Sequence, residues 1–525
     1  MAVTVEFSLD GQAVSVPGDG TLLEALRALG AQAVKDGCSP QGQCGCCTVQ
    51  VDGQARVACV TPVRRVAGKR VVTFDGLPPD RRESWTEALC ATGGSQCGFC
   101  TPGIVVRLDG DGSDEGEGRD PAAINRALAA HLCRCTGWQT IVEAAALVDA
   151  GVPIPSAADI GRDLDAASKR ATIEGRAHQR VDPSVAAGQG GFAADTAPAD
   201  ALVAVPDGHD GWVVAESLAE ARAAAGKVQG RRSTVGATAP VDLPAGEWAL
   251  TLQTSWVEPA YLETDAAWCL PGGEPASALA NGGAFGAKTT SPVGDVARQL
   301  ADEHERAVLV VLSREDTVRL GPKRPPLAAG VSVVDGELVG EVHVVRTPGI
   351  VEAIASVAPG LRVTEVDVAG PPTSVALRGA GWVEAAVLAA TVAGTTTVRS
   401  PGGAVASAQI DAGGAIRVQV SCGEPLDEVT LRSYCIGAAH QALGWVTSES
   451  IAVDHDGTVC DLTIRSFGIV RPGAMVPVDV EIEPSEADPV NGSDAVFAAV
   501  AAAVWQHQGC PGVWPTGIGL QGSGT

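Results

Sequence analysis

Five cysteines crowd the stretch GCSPQGQCGCCTVQVDGQARVACV at residues 37–60, a third of the fifteen in the 525-residue chain. Cys38, Cys44 and Cys47 are separated by five and two residues, and Cys59 follows after eleven more. Three thiolates in one loop with a distant fourth is the plant-type [2Fe–2S] arrangement, whose first gap is four residues rather than five. Four thiolates also satisfy a structural zinc, although zinc ligands come more often as two short knuckles. Iron–sulfur is the favoured reading and zinc the alternative. Gly37, Gly42 and Gly45 let backbone amides turn into the loop, which suits a cluster of net negative charge. Cys46 is then a spare thiol, read as a small buried residue. A second constellation pairs Cys97-x2-Cys100, in SQCGFCTPG, with Cys133-x-Cys135, in HLCRCTGW. Alone the C-x-C pair says little; beside another cluster loop, four thiolates gathered by helix ends can hold a second cluster.

The elements that must position these thiols are legible around them. Residues 3–8 and 12–16 alternate as two strands joined at Asp10-Gly11, a hairpin signal. TLLEALRALG carries a helical period with Thr21 as N-cap and Gly30 as stop. The loop then returns through a strand, TVQV, a turn at Asp52-Gly53 and another strand. Around the second constellation RRESWTEALCATG, DPAAINRALAAHL and WQTIVEAAALVDAG read as helices, the middle one opening at Asp120-Pro121. The acidic run DGDGSDEGEGRD between them reads as a solvated connector. Beyond residue 171, strand-like ALVAVP, GWVVAES, RAVLVVLS and IRVQVSC alternate with helix-like LAEARAAAGKV, VARQLADEHER and AVFAAVAAAVW, a mixed α/β pattern.

A net charge of −25 argues against nucleic acid as a partner, because phosphate binding needs a basic footprint. The N-terminus has no basic-then-apolar leader. The longest apolar run, Ala495–Trp505, falls short of the ~20 residues of a membrane span. A cytoplasmic location is expected, where clustered cysteines point to metal or redox chemistry rather than disulfides.

CGCCTV, QCGFCTPG and CRCTGW resemble the iron–sulfur module of the xanthine dehydrogenase and aldehyde oxidase family of molybdenum hydroxylases, across residues 1–150. The resemblance implies an α+β multidomain chain. A β-grasp, ferredoxin-like domain would span residues 1–80, with an outer cluster on Cys38, Cys44, Cys47 and Cys59. A four-helix domain would span 81–152, with an inner cluster on Cys97, Cys100, Cys133 and Cys135. A linker would cover 153–170, and a shortened molybdopterin-binding-like region 171–525. Gln96 matches the family's glutamine that touches the pterin. NGGAFGAK at 281–288 resembles the family's cofactor loop, which carries Gly283, Phe285 and Gly286 across. VEPAYLET brings Glu263, and ALRGAGWVEA brings Arg378.

Three departures bear on catalysis. The molybdenum-like portion is about half the family's length, its glycine–glutamine–glycine segment has no counterpart, and Ser493 stands where the family places its catalytic glutamate. A serine cannot deprotonate a metal-bound hydroxide as a carboxylate can. Glu424, in CGEPL, and Asp494, beside the vacated position, are the substitute candidates. The resemblance therefore implies an iron–sulfur electron-transfer subunit with two [2Fe–2S] clusters and molybdopterin shared or degenerate. A molybdopterin-binding catalytic subunit and an FAD-binding subunit would be separate chains. The alternatives are a self-sufficient purine or aldehyde hydroxylase and a non-catalytic scaffold.

Overall fold

The computed structural model describes residues 4–110, 119–209, 211–226, 235–277 and 283–520. Its N-terminal part is a five-stranded sheet in the order Gln12–Pro17, Thr4–Leu9, Arg70–Val72, Thr48–Val51, Gln54–Val57. Both hairpins close as the sequence requires, with positive φ at Asp10 and Gly11 (50° and 87°) and at Asp52 and Gly53 (50° and 80°). Two consecutive left-handed residues give a turn whose twist matches that of the paired strands. Helix Leu22–Ala28 begins on a reciprocal cap, Thr21 accepting from the Glu24 amide and the Glu24 carboxylate from the Thr21 amide.

Four helices follow: Pro79–Thr92, Thr101–Gly110, Pro121–Ala127 and Gln139–Asp149. Asp120 caps the third, with Pro121 at its first position. The second has no clear signal in the sequence, since Thr101-Pro102-Gly103 reads as a turn. It forms because proline is tolerated in a first helical turn, whose N–H groups have no intrahelical acceptor. Most of the acidic connector, residues 111–118, lies outside the described residues.

The C-terminal part is mixed α/β, with two further five-stranded sheets and one of four strands. Helices Trp382–Val392, Glu428–Thr447 and Ser493–His507 are buried along most of their length and form its centre. The expected linker needs correction. Helix Leu164–Gly175 begins inside it, capped by Asp163, and buries Ala167, Arg170 and Ala171. The span reads as a linker because its residues are polar and small; Arg170, at its end, is fully buried and ion-paired with Glu174.

One apolar core runs from the first sheet through the four helices. It includes Trp256, Ile451, Ile464 and Phe467 of the C-terminal part, so the thiol-bearing domains are not free-standing. No helix among the described residues is long and apolar enough to cross a membrane.

Candidate functional site: two groups of four thiols

The outer loop gathers Cys38, Cys44, Cys47 and Cys59, all buried. The amides of Gln41 and Gln43 donate to the Cys38 sulfur at 3.2 and 3.4 Å, and the Cys59 amide donates to Cys47 at 3.4 Å. The thiols of Cys44 and Cys59 also donate to Cys38, and together with the Gln41 and Gln43 amides they hold it well below the usual thiol range. Gly45, at φ 75°, is required sterically, because a Cβ there would come within 2.5 Å of the His131 ring. That ring is buried, with its nitrogen 3.1 Å from the Thr48 hydroxyl, and burial lowers its pKa to about 4, so it is neutral beside the thiols.

The second group repeats the pattern. Cys133 is held low by the Cys100 and Cys135 thiols and by Thr136, and the Cys135 and Cys97 sulfurs are 3.7 Å apart. Each group thus turns its sulfurs toward one another in a buried pocket, and amides face the sulfurs of the outer one. Such a donor set fits a [2Fe–2S] centre, which needs four thiolates with hydrogen bonds to sulfur. The two groups lie back to back: a Cβ on Gly103, in the helix following Cys100, would meet the Gly45 carbonyl oxygen at 2.5 Å. Cys46 sits at this junction, fully buried, its thiol against Cys44 and its field reaching Cys133.

In the C-terminal part the structure brings Arg378, Ser493, Asp494 and Phe285 together. The Arg378 guanidinium donates to Asp494 at 3.0 Å, to Gln441 at 2.9 Å and to the Ser493 hydroxyl at 2.7 Å. Its carbon lies 4.1 Å from the Phe285 ring centroid. Phe285 (φ 43°), Gly283 and Gly286 (φ 99°) form a tight turn, and a Cβ on Gly286 would strike the Ala376 carbonyl oxygen. Asn281 and Gly282 of that loop lie outside the described residues. Glu263 pairs with Lys288 from the same loop; burial still raises its pKa to about 7, against the pull of that ammonium.

Glu424 is elsewhere. Its side chain is exposed, while its backbone amide and carbonyl bond to Ala487 and Arg170. Asp494 is held between Arg378 and Arg176. Gln96 donates to the Cys135 carbonyl at 3.1 Å and to Ser433 at 3.0 Å, tying the inner loop to helix Glu428–Thr447.

Sequence reasoning missed Glu174, whose carboxylate receives the Gly492 and Ser493 amides at 3.0 and 2.8 Å and so caps the last helix from a distant one. It also missed the pairs Arg134–Glu449 and Arg324–Glu384. Only the position of Arg134 between Cys133 and Cys135 could have drawn notice.

Comparison with known proteins places this geometry. The 2Fe-2S iron-sulfur cluster binding domain family matches residues 2–73, and the [2Fe-2S] binding domain family matches residues 73–146. The chain is thus an iron–sulfur protein with two consecutive [2Fe–2S]-binding domains. The xanthine dehydrogenase iron-sulfur-binding subunit of Escherichia coli O157:H7 is 39% identical over 147 residues, 27% of this chain and 90% of that protein. Xanthine dehydrogenase of Emericella nidulans is 38% identical over 156 residues, which is 27% of this chain but only 11% of that protein. A solved aldehyde oxidoreductase from Desulfovibrio gigas superposes with TM-score 0.68 over 96% of this chain and 97% of that one, at 15% identity, a likeness of fold. The chain belongs to the xanthine dehydrogenase and aldehyde oxidase family of molybdenum hydroxylases, with its iron–sulfur region fused to a larger C-terminal part.

Proposed function

We propose that this chain is the electron-transfer component of a xanthine dehydrogenase-like hydroxylase in the cytoplasm. It would receive electrons from a molybdopterin centre on a partner and deliver them to a flavin or another acceptor on a separate chain. On this reading residues 1–80 carry the outer centre and 81–152 the inner one. The observation that carries it is the back-to-back packing of two buried groups of four thiols.

When bound, [2Fe–2S] clusters supply one-electron carriage at potentials set by hydrogen bonding and exposure. The chain's own residues do the rest. Gln41, Gln43 and Thr136 orient donors at the sulfurs, neutral His131 adds no charge, and Gly45 and Gly103 let the two loops touch.

The test is spectroscopic. On reduction the intact chain is expected to give two distinguishable [2Fe–2S] paramagnetic signals, with Cys44→Ser removing one and Cys133→Ser the other. Zinc in place of iron, or both substitutions dimming the same signal, would overturn the proposal.

A further inference from the structure

Three buried arginines converge where Arg378, the glycine-rich loop and the last helix meet, and each is already neutralised. Arg134 makes a two-pronged pair with Glu449 at 2.5 and 2.7 Å. Arg324 does the same with Glu384 at 2.7 and 3.0 Å and lies 4.1 Å from the Trp445 ring centroid. Arg378 is divided among Asp494, Gln441 and Ser493, with one face against Phe285. The space between these side chains is a cavity of about 50 Å³. The cleft beside Gln96 holds about 20 Å³. A ligand of molybdopterin size needs a pocket of roughly 300–1,000 Å³. Admitting it here would mean breaking several desolvated ion pairs, each of which would leave an unpaired buried charge. The residues present therefore do not fit that group.

The same residues grip the inner thiol loop. Glu449 holds the arginine between Cys133 and Cys135, and Gln441 donates to the Arg134 carbonyl at 2.7 Å. Ser433 accepts from Gln96 and donates to the Gly93 carbonyl at 2.7 Å. Helix Glu428–Thr447 lies so close that a Cβ on Gly437 would fall 1.8 Å from the Cys135 carbonyl oxygen.

We infer that the C-terminal part of this chain takes no molybdopterin, and that its own ion pairs and the Glu428–Thr447 helix fill that place and clamp the inner thiol loop instead. Glu449 is a positioning residue in this arrangement, acting on the loop through Arg134. The inference rests on the proposed inner centre for its clamp half, and the two fail separately: iron content and two signals in the parent chain report on that proposal, pterin uptake and the change of the inner signal in the variants on this one.

The experiment mixes the full-length, cluster-loaded chain anaerobically with molybdopterin released from a loaded molybdenum enzyme. Gel filtration follows, with pterin fluorescence and molybdenum read in the protein peak. Neither is expected above background, and stoichiometric co-elution of pterin would overturn the first half of the inference. In Glu449→Gln the signal assigned to the inner centre should shift or broaden while the outer one stays unchanged. An inner signal identical to that of the parent chain would overturn the clamp. If Glu449→Gln does not accumulate, Ser433→Ala carries the same readout, since it removes the hydroxyl that Gln96 holds.

Discussion

Replacing Gly437 by alanine sets two magnitudes against each other. In the middle of a 20-residue helix, alanine is favoured over glycine by about 1 kcal/mol of intrinsic propensity. Against this, the new Cβ would fall 1.8 Å from the Cys135 carbonyl oxygen, a backbone atom that cannot rotate away. Reaching an ordinary contact of about 3.3 Å moves the helix or the loop by over 1 Å. Overpacking of this kind costs typically 1–3 kcal/mol. The balance is a net loss of about 0–2 kcal/mol, too small to unfold the chain but concentrated on the segment that carries Cys133 and Cys135. Gly437→Ala is therefore expected to keep the outer paramagnetic signal and to lose or distort the inner one. Iron content should fall by up to half, with the melting temperature only slightly lowered. A higher melting temperature with both signals unaltered would refute the reasoning, because helix propensity alone would then have decided the outcome.

Glu263 is a buried acid whose pKa rises from 4.5 to about 7, so the folded chain binds a proton there that the unfolded chain has released. Stability from this group is present below pH 4.5 and declines as pH rises to 7, a change on the order of 3 kcal/mol. Glu263→Gln should therefore gain stability relative to the parent as pH rises from 5 to 7.5, in paired melting curves; parallel curves would refute it. Cys46→Ala should retain full iron, with a stability loss on the order of 1 kcal/mol, and losing half the iron would make Cys46 a ligand. Hydroxylase turnover on purines and aldehydes should be absent from the isolated chain and from Ser493→Glu, a general base being worth about 10²–10⁴-fold only where a cofactor is held. Turnover in the parent that vanishes in Glu424→Gln would refute this.

Local features were legible in the sequence and distant pairings were not. The Asp-Gly turns and the Thr21 and Asp120 caps are each written within a few residues, so pattern and geometry coincide. Arg134 and Glu449 are 315 positions apart, and Arg378 and Asp494 are 116 apart; nothing near either partner marks the other. Arg170 and Glu174 share a helical face four residues apart, a spacing typical of solvated pairs, but tertiary packing buries both. The CGEPL segment shows the opposite failure: Glu424 is a substitute candidate by sequence, yet it lies exposed.

The distance along the chain between Arg134 and Glu449 also sets a timetable. A ribosome adding about 5–20 residues per second needs roughly 15–60 s to advance from one to the other. Throughout that interval the cysteines of the inner loop are already made, while the helix that covers them has not yet emerged. The Cys97 side of that loop is covered early, by residues 183–192, while its Cys135 side waits for the Glu428–Thr447 helix. Slow codons between residues 135 and 428 would lengthen the wait, and a truncated message would leave that side without its cover.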